Sequence, residues 1–355
     1  MEQNLEKSIQ TARTGRKNQK ILFALYKQNK VKEEEKMKPK VLITQRILPE
    51  ALGYLAEHTD YEIGASRGIL KKEKLIEKIR DKEGLLSLLV NTIDKEVMDS
   101  APRLKIIANC AVGFNNIDLA TARKKGILVT NTPGVLTETT ADLTWALTFA
   151  VARRIPQADR FTREKRFKGW ELDLFLGKEI SGKRLGIVGM GRIGKAVALR
   201  AQAFSMETVY SDPKRLTAEE EKKYKVAFLP LEELLSTSDI ITIHASLTPQ
   251  TFHLISKEKI SLMKKDAILI NAARGPIIDE KALAEALKKK QIWGAGLDVY
   301  EREPEVEEKL LSLENVVLLP HIGSATYETR LKMAMMAARN LIQGLQGQRP
   351  DNLVS

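Results

Sequence analysis

The 355-residue chain predicts an α/β fold built on doubly wound parallel sheet, and three observations carry that expectation. Short runs such as 85–90 and 104–110 are apolar throughout, as suits parallel strands buried on both faces. Helical patterns alternate with such runs along most of the chain, which is the signature of β-α-β connections. A glycine-rich loop at 189–194 joins one of these strands directly to a helix. With 43% hydrophobic residues, a chain of this length can bury two separate cores.

The elements follow in order. Residues 1–36 are rich in Lys, Gln, Asn and Glu, with one weak apolar patch from Ile21 to Leu25, and are expected to be a disordered or loosely helical extension. Met37 then precedes an apparently complete first strand at 41–44. Helices are expected at 94–100 and 117–125, each opened by or near an Asp that can accept from the first-turn N–H groups. A long helix from about 137 to 154 follows Pro133-Gly134. Further strands are expected at 184–189, 208–212, 240–245, 267–272, 294–299 and 316–319, separated by helices such as 193–204 and 280–289. An amphipathic helix at 327–346 ends in glycines.

Charge and composition exclude several classes. The formal net charge is +12, and residues 1–36 contribute nine basic against five acidic side chains. Elsewhere the charges alternate in sign, as in Lys71-Lys72-Glu73-Lys74, which reads as solvated helix surface. No basic stripe interleaved with aromatics suggests nucleic acid; a mildly basic cleft that attracts anionic small molecules fits better. No apolar run approaches the roughly 20 residues of a membrane span, and no secretory h-region is present. The sole cysteine, Cys110, excludes an intramolecular disulfide framework. A soluble, cytoplasmic protein is expected. With no HExxH, CxxC or spaced carboxylate cluster, no metal site is expected.

Gly189-Met190-Gly191-Arg192-Ile193-Gly194 is a GxGxxG, a weak signal alone. Its setting strengthens it, because an apolar strand runs into it and a helix begins inside it. The first glycine permits the tight turn and the second lets backbone amides approach a pyrophosphate. The third lets helix and strand pack closely. Eighteen residues beyond Gly194 stands Asp212, at the end of the next strand, where a carboxylate would accept from the adenosine ribose hydroxyls. The loop therefore predicts NAD(H). An acid there repels a 2′-phosphate, although Lys214 and Arg215 could soften the preference against NADP(H).

Three later strands end in charged or imidazole groups, namely Arg274 in Asn271-Ala272-Ala273-Arg274-Gly275, Glu303 in the segment from Asp298 to Pro304, and His321 in Pro320-His321-Ile322-Gly323. Ligands of open parallel sheets bind at strand carboxyl ends, so these side chains can converge. An arginine fork holds a carboxylate bidentately. A histidine near neutrality gives a proton to a carbonyl oxygen and takes it back. A glutamate on the other ring nitrogen favours the imidazolium and orients the ring. Taken singly, each also has an ordinary structural reading, as a helix-end ion pair, a surface acid and a loop histidine. Cys110 reads as core. His244, His253 and His58 read as packing or helix-end residues, with His244 at a strand end near the glycine loop.

The order of these motifs, with 29 residues from Arg274 to Glu303 and 18 from Glu303 to His321, resembles the D-isomer-specific 2-hydroxyacid dehydrogenases over roughly residues 38–350. The resemblance implies two Rossmann-like doubly wound domains with the active site in the cleft between them. The smaller, substrate domain comprises 38–133 and 323–350, and the NAD-binding domain comprises 134–322. It implies that Arg274, Glu303 and His321 are the substrate-binding and catalytic residues. Ala272, Arg274, Asp298, His321 and Gly323 would line the cofactor, with Asp298 beside the nicotinamide carboxamide. Ala111-Val112-Gly113-Phe114-Asn115-Asn116 is similar to the family's substrate loop, whose Val112 and Gly113 amides would meet the substrate carboxylate. Thr140-Ala141-Asp142 resembles the start of the family's hinge helix, close to the cofactor. A homodimer is implied, with Trp170, Phe175 and Leu176 as candidate contacts. The stretch from Trp170 to Gly186 resembles glyoxylate/hydroxypyruvate reductases. D-lactate, D-3-phosphoglycerate and 2-ketogluconate dehydrogenases of the family, or a non-enzymatic corepressor-like NAD(H) sensor, are the alternatives. A protein beginning at Met37 is expected to keep wild-type activity and melting temperature; a large loss of either refutes the dispensable extension.

Overall fold

A computed structural model describes residues 38–354; the expected extension at 1–36 lies outside the described residues. Two parallel sheets organise the chain. The first comprises β1 (Lys40–Ile43), β2 (Asp60–Ile63), β3 (Gly84–Ser87), β4 (Ile106–Asn109) and β5 (Leu128–Thr130), in the order β2-β1-β3-β4-β5. The second comprises β6 (Arg184–Val188), β7 (Glu207–Ser211), β8 (Val226–Phe228), β9 (Ile240–Ile243), β10 (Ile268–Asn271), β11 (Gly294–Leu297) and β12 (Val316–Leu318), in the order β12-β11-β10-β9-β6-β7-β8. Every strand pairing within both sheets is parallel. The strand order of the second sheet reverses between β6 and β9, the kind of switch point beside which open parallel sheets bind ligands.

The uniformly apolar strands are buried at every position, as β3, β4, β9, β10 and β11 show. Edge strands β2 and β8 escape the sequence reading because Asp-Tyr-Glu-Ile and Val-Ala-Phe lie at the margins of their sheets and are only partly buried. Both expected aspartate caps form. Asp94 accepts from the Val97 N–H at 3.2 Å, and Asp118 accepts from the Thr121 N–H at 3.0 Å. The long helix ends two residues short of expectation, as Thr137–Ala152. Arg154 then adopts a left-handed backbone (φ 54°), and a second helix, Ile155–Arg163, starts with proline in its first turn. The helix expected to reach residue 204 ends as α at Ala201 and tightens to 3-10 over Gln202–Phe204.

Chain order and packing diverge at the C-terminus. The helix Tyr327–Leu345 returns to the first sheet, where Met333, Ala334, Ala337, Ala338, Leu341 and Ile342 share a core with Val41, Ile43 and Ile106. Residues beyond it run back along β5, and the Val354 N–H donates to the Val129 carbonyl at 2.8 Å, which covers that sheet edge. The Thr137–Ala152 helix instead shares a core with the second sheet, through Trp145, Leu147 and Val151 beside Ile187, Ile268 and Ile270. No helix among the described residues is long and apolar enough to cross a membrane.

Leu341 is fully buried in the contact between the C-terminal helix and the first sheet. Leu341→Ala should cost about 2–5 kcal/mol, the usual range for such a cavity. Urea unfolding followed by circular dichroism checks it; an unchanged midpoint would mean the helix is not integral to that core.

Candidate active site

The loop after β6 carries the geometry that the glycine pattern requires. Gly189 has φ +94°, and a side chain there would run into the His244–Ala245 backbone. Gly194 abuts the Gly189 carbonyl, so helix and strand touch backbone to backbone. A Cβ on Gly191 would meet nothing within 4 Å, which leaves that side of the turn open. The helix Arg192–Ala201 begins there with Arg192 exposed, Ile193 packed inward and no side chain capping its first N–H groups. An open concavity at an uncapped helix start suits a pyrophosphate. Asp212 fixes the loop from the next strand, since its two oxygens accept the Met190 and Lys214 N–H groups, each at 2.8 Å. Each oxygen keeps a further lone pair for a ribose hydroxyl. The nearby Arg215 is engaged by Glu221 at 3.0 Å and lies over the Phe228 ring. The residues at this turn fit a dinucleotide.

At the ends of β11 and β12 the chain assembles an acid–imidazole pair. His321 Nδ1 and Glu303 Oε2 are 2.7 Å apart, each side chain 25% exposed. Burial alone would raise the Glu303 carboxyl, but the hydrogen bond and charge of His321, with Arg274 beyond, hold it below the ordinary value. Glu303 is thus an anion at neutral pH, and the His321 ring presents Nε2 as its exchangeable nitrogen. His321 itself has φ 54°, a left-handed conformation that costs a non-glycine residue about 1 kcal/mol or more. Asp298 holds that strained turn in place. It is 1% exposed, and its oxygens accept the Ile322 and Gly323 N–H groups, each at 2.7 Å. Burial raises the Asp298 carboxyl against those two bonds and the nearby His321. Tyr300 ties the loops together: its N–H donates to Glu303 Oε1 at 3.1 Å and its hydroxyl to the Leu319 carbonyl at 2.8 Å.

Arg274 leaves the end of β10, beyond buried Ala272, on a turn shaped by Asn271, whose Oδ1 accepts from the Ala273 N–H at 3.0 Å and whose Nδ2 donates to the Arg274 carbonyl at 3.0 Å. Its guanidinium donates through Nη1 to the Ala273 carbonyl (2.6 Å) and through Nε to Asn115 Oδ1 (3.2 Å). Asn115 belongs to the loop after β4, so this bond crosses from one sheet's loops to the other's. A Cβ on Gly113 would overlap the same guanidinium. Val112 and Gly113 are pinned by their carbonyls, which accept from Asn131 Nδ2 (2.8 Å) and Asn109 Nδ2 (2.9 Å). Burial draws the Arg274 guanidinium below its usual range and Glu303 opposes this, yet an arginine remains charged.

The structure thus brings Arg274, Gly113, Glu303 and His321 into one cluster, with Asp298 and Gly323 beneath it. Of Thr140-Ala141-Asp142, only Thr140 meets this cluster, donating from Oγ1 to the Gly323 carbonyl at 3.1 Å. Asp142 instead pairs with Arg200 at 2.8 Å on the outer face of its helix. His244 is held neutral, lowered to about 3 by burial, with Nε2 on Thr242. The Cys110 thiol is pushed up to about 12 by burial and is inert. Trp170 and Leu176 are exposed, whereas Phe175 packs edge-on against Phe161 beneath Arg154. Asn115, Asn131 and Tyr300 were not singled out from sequence, because their roles are hydrogen bonds to residues distant along the chain.

Residues 145–323 match the family model described as D-isomer specific 2-hydroxyacid dehydrogenase, NAD binding domain. A glyoxylate reductase of Thermococcus onnurineus (strain NA1) is 48% identical over 323 residues, covering 90% of this chain and 96% of that protein. A glyoxylate reductase of Thermococcus kodakarensis is 49% identical over 323 residues, covering 90% of this chain and 97% of that protein. Among solved structures, a protein from Thermus thermophilus superposes with a TM-score of 0.83 at 44% identity, covering 89% of this chain and 100% of its own. An NADPH-dependent glyoxylate/hydroxypyruvate reductase from Sinorhizobium meliloti, in complex with NADP and malonate, gives a TM-score of 0.80 at 31% identity, covering 90% of this chain and 97% of its own.

Replacing Asp212 removes both the negative charge and the clamp on Met190 and Lys214. Asp212→Ala should weaken NADH use and raise the NADPH:NADH ratio of kcat/KM on the order of tenfold or more, as loss of a charged hydrogen-bond partner implies. An unchanged ratio in steady-state assays would place the discrimination elsewhere.

Proposed function

Because the chain belongs to the D-isomer-specific 2-hydroxyacid dehydrogenase family and is an NAD-dependent oxidoreductase, we propose that it reduces a small 2-oxo acid, glyoxylate or hydroxypyruvate, to the D-2-hydroxy acid. NAD(H) is the favoured cofactor, with NADP(H) as a second. The observation that carries the reading is the 2.7 Å Glu303–His321 pair assembled in one cluster with an arginine whose neighbours are a carbonyl, an amide oxygen and a glycine. The names of the glyoxylate reductases at 48–49% identity support the substrate class.

Gly189, Gly191, Gly194 and the start of the following helix would hold the pyrophosphate, and Asp212 the adenosine ribose. Ala272, Asp298 and Gly323 would border the nicotinamide end. When bound, the reduced nicotinamide supplies the hydride for the carbonyl carbon. The chain's own residues do the rest. Arg274 grips the substrate carboxylate, assisted by the Val112 and Gly113 N–H groups, and so orients the adjacent carbonyl. His321 gives its Nε2 proton to the carbonyl oxygen, so that the product leaves as a neutral alcohol rather than an alkoxide. Glu303, at Nδ1, stabilises the imidazolium before transfer and fixes the ring. Oxidation of the hydroxy acid reverses each step.

On this reading, residues 38–133 and 323–350 form the substrate domain and 134–322 the cofactor domain. The molecule acts as a homodimer through the exposed Trp170 and Leu176 region. Purified protein that consumes NADH with glyoxylate or hydroxypyruvate supports the reading against a non-catalytic NAD(H) sensor; no turnover across a panel of 2-oxo acids overturns it.

Lysine at position 274 keeps the charge but loses the planar fork. Arg274→Lys should raise KM for 2-oxo acids and lower kcat together, roughly tenfold or more each, with KM for NADH near wild type. Normal glyoxylate reduction by this variant would remove Arg274 from substrate recognition.

Reduction uses the proton carried by His321, so activity falls as pH rises. Glu303, held anionic by its depressed pKa, stabilises the protonated ring. Glu303→Gln removes that charge, and the descending limb of kcat against pH should move to lower pH. A limb that stays in place breaks the pairing.

A further inference from the structure

We infer that Glu280 is a positioning residue for the Glu303–His321 pair, acting by holding both flanks of the loop that carries Glu303. The inference rests on the proposed reaction only for its meaning, because its test below reads the imidazole directly. Glu280 opens the helix Glu280–Lys288, six residues beyond Arg274, and is 6% exposed. A carboxylate buried to that degree costs several kcal/mol unless its oxygens are satisfied. Here they are satisfied by peptide groups. Oε2 accepts the Glu301 N–H at 2.6 Å and Oε1 accepts the Glu307 N–H at 2.7 Å. The Glu280 N–H in turn donates to Glu301 Oε2 at 3.4 Å. The helix cap is supplied separately by Asp279, which accepts from the Ala282 N–H at 2.9 Å. Glu280 is therefore not needed as a cap, and its carboxylate serves the 301–307 segment.

Other tethers act inside the segment, where Glu303 accepts the Tyr300 N–H, the Glu305 N–H donates to the Arg302 carbonyl at 2.9 Å and Val306 packs on the core, whereas Glu280 binds the peptide groups at both its ends. The segment lies between β11 and the short helix Glu308–Leu311 and carries Glu303 at its centre. Residues 301 and 307 are the two points at which Glu280 fastens it, one on either side of Glu303. The same carboxylate ties the helix that follows the Arg274 turn to the loop that sets Glu303. An error of about 1 Å between such groups is enough to cost orders of magnitude in a proton transfer. The charged and titratable groups facing the dyad are Asp298, Arg274 and Tyr300, and those facing Glu280 are Glu301, Tyr300 and, through Glu301, His253. Glutamine at 280 can accept only one of the two N–H groups and turns its own amide donor toward the other.

The test uses the full chain with 15N-labelled histidine. The ring signals of the four histidines are assigned by comparison with His321→Asn. In Glu280→Gln, the His321 titration midpoint should fall toward that of Glu303→Gln, and in the double variant it should fall no further than in Glu303→Gln. Reduction by Glu280→Gln should lose about tenfold or more in kcat, a part of the usual worth of a positioned general acid, with KM for NADH within about twofold. Glu280→Asp, which keeps both acceptors on a shorter stem, should recover part of kcat and of the midpoint. A Glu280→Gln protein that melts earlier but titrates His321 as wild type overturns the inference and leaves Glu280 a stability residue. Should Glu280→Gln not fold, Glu280→Asp is read alone: a lowered midpoint supports the inference and a wild-type midpoint overturns it. Failure of every 2-oxo acid as substrate would strike the proposed function without touching the imidazole reading.

Discussion

A loop leaving the carboxyl end of a parallel strand carries peptide N–H groups that the ladder can no longer satisfy, and burying them unpaired costs about as much as losing a hydrogen bond each. The second half of this molecule meets that constraint with carboxylates. Asp212 takes the Met190 and Lys214 N–H groups, Asp298 takes those of Ile322 and Gly323, and Glu280 takes those of Glu301 and Glu307. Each acid fastens two amides with two oxygens, and each fastened loop carries residues of the site. The dinucleotide turn, the strained His321 and the Glu303 segment are therefore held by bonds that need no ligand. Rigid presentation of this kind is what lets a few side chains act together, because preorganised groups need little reorganisation during reaction.

The same logic explains why the strained backbone of His321 persists. A left-handed histidine relaxes unless its surroundings fix it. Here the two peptide groups after it are locked by Asp298, the carbonyl of Gly323 is taken by Thr140, and the ring is drawn toward Glu303. Those tethers come from β11, from the Thr137–Ala152 helix and from the 301–307 segment, so the ring direction reports the packing of three elements at once.

Much of this was legible in the sequence, for an identifiable reason. Strands β9, β10 and β11 read as apolar throughout because both faces are covered, and a charged residue just after such a run stands out. Arg274, Glu303 and His321 were singled out as candidates that way, with their roles taken from the family resemblance, and the glycine spacing located the turn after β6. Edge strands β2, β5 and β8 were missed because they are short or, through partial exposure, polar. The supporting groups were missed for a different reason. Asn115 meets Arg274 across 159 positions, and Glu280 meets Glu301 across 21, so no local pattern marks either. A buried glutamate in a helix's first turn looks, in sequence, like an ordinary dipole-favoured surface acid. Only the burial distinguishes it.

Charge balance then limits what the cleft can accept. The carboxylates of Asp212, Asp298 and Glu280 are each answered by a pair of amides, and that of Glu303 by His321. Arg274 differs. Among the described residues it has no carboxylate within ion-pair distance, and its partners are the Ala273 carbonyl and the Asn115 side chain. Of the five N–H groups on its guanidinium those two bonds use two, and Nη2 lies so near Gly113 that any side chain there would overlap it. The remaining donors are both on Nη2 and one on Nη1, so N–H groups on two nitrogens are left for a further acceptor. A partly buried cation without a counter-ion is electrostatically incomplete, and a carboxylate balances it where a neutral carbonyl compound does not. Arg274 is thus the one positive group in the cluster that the protein leaves without an anion, and the proposed preference for an acid over a neutral ketone or aldehyde rests on it.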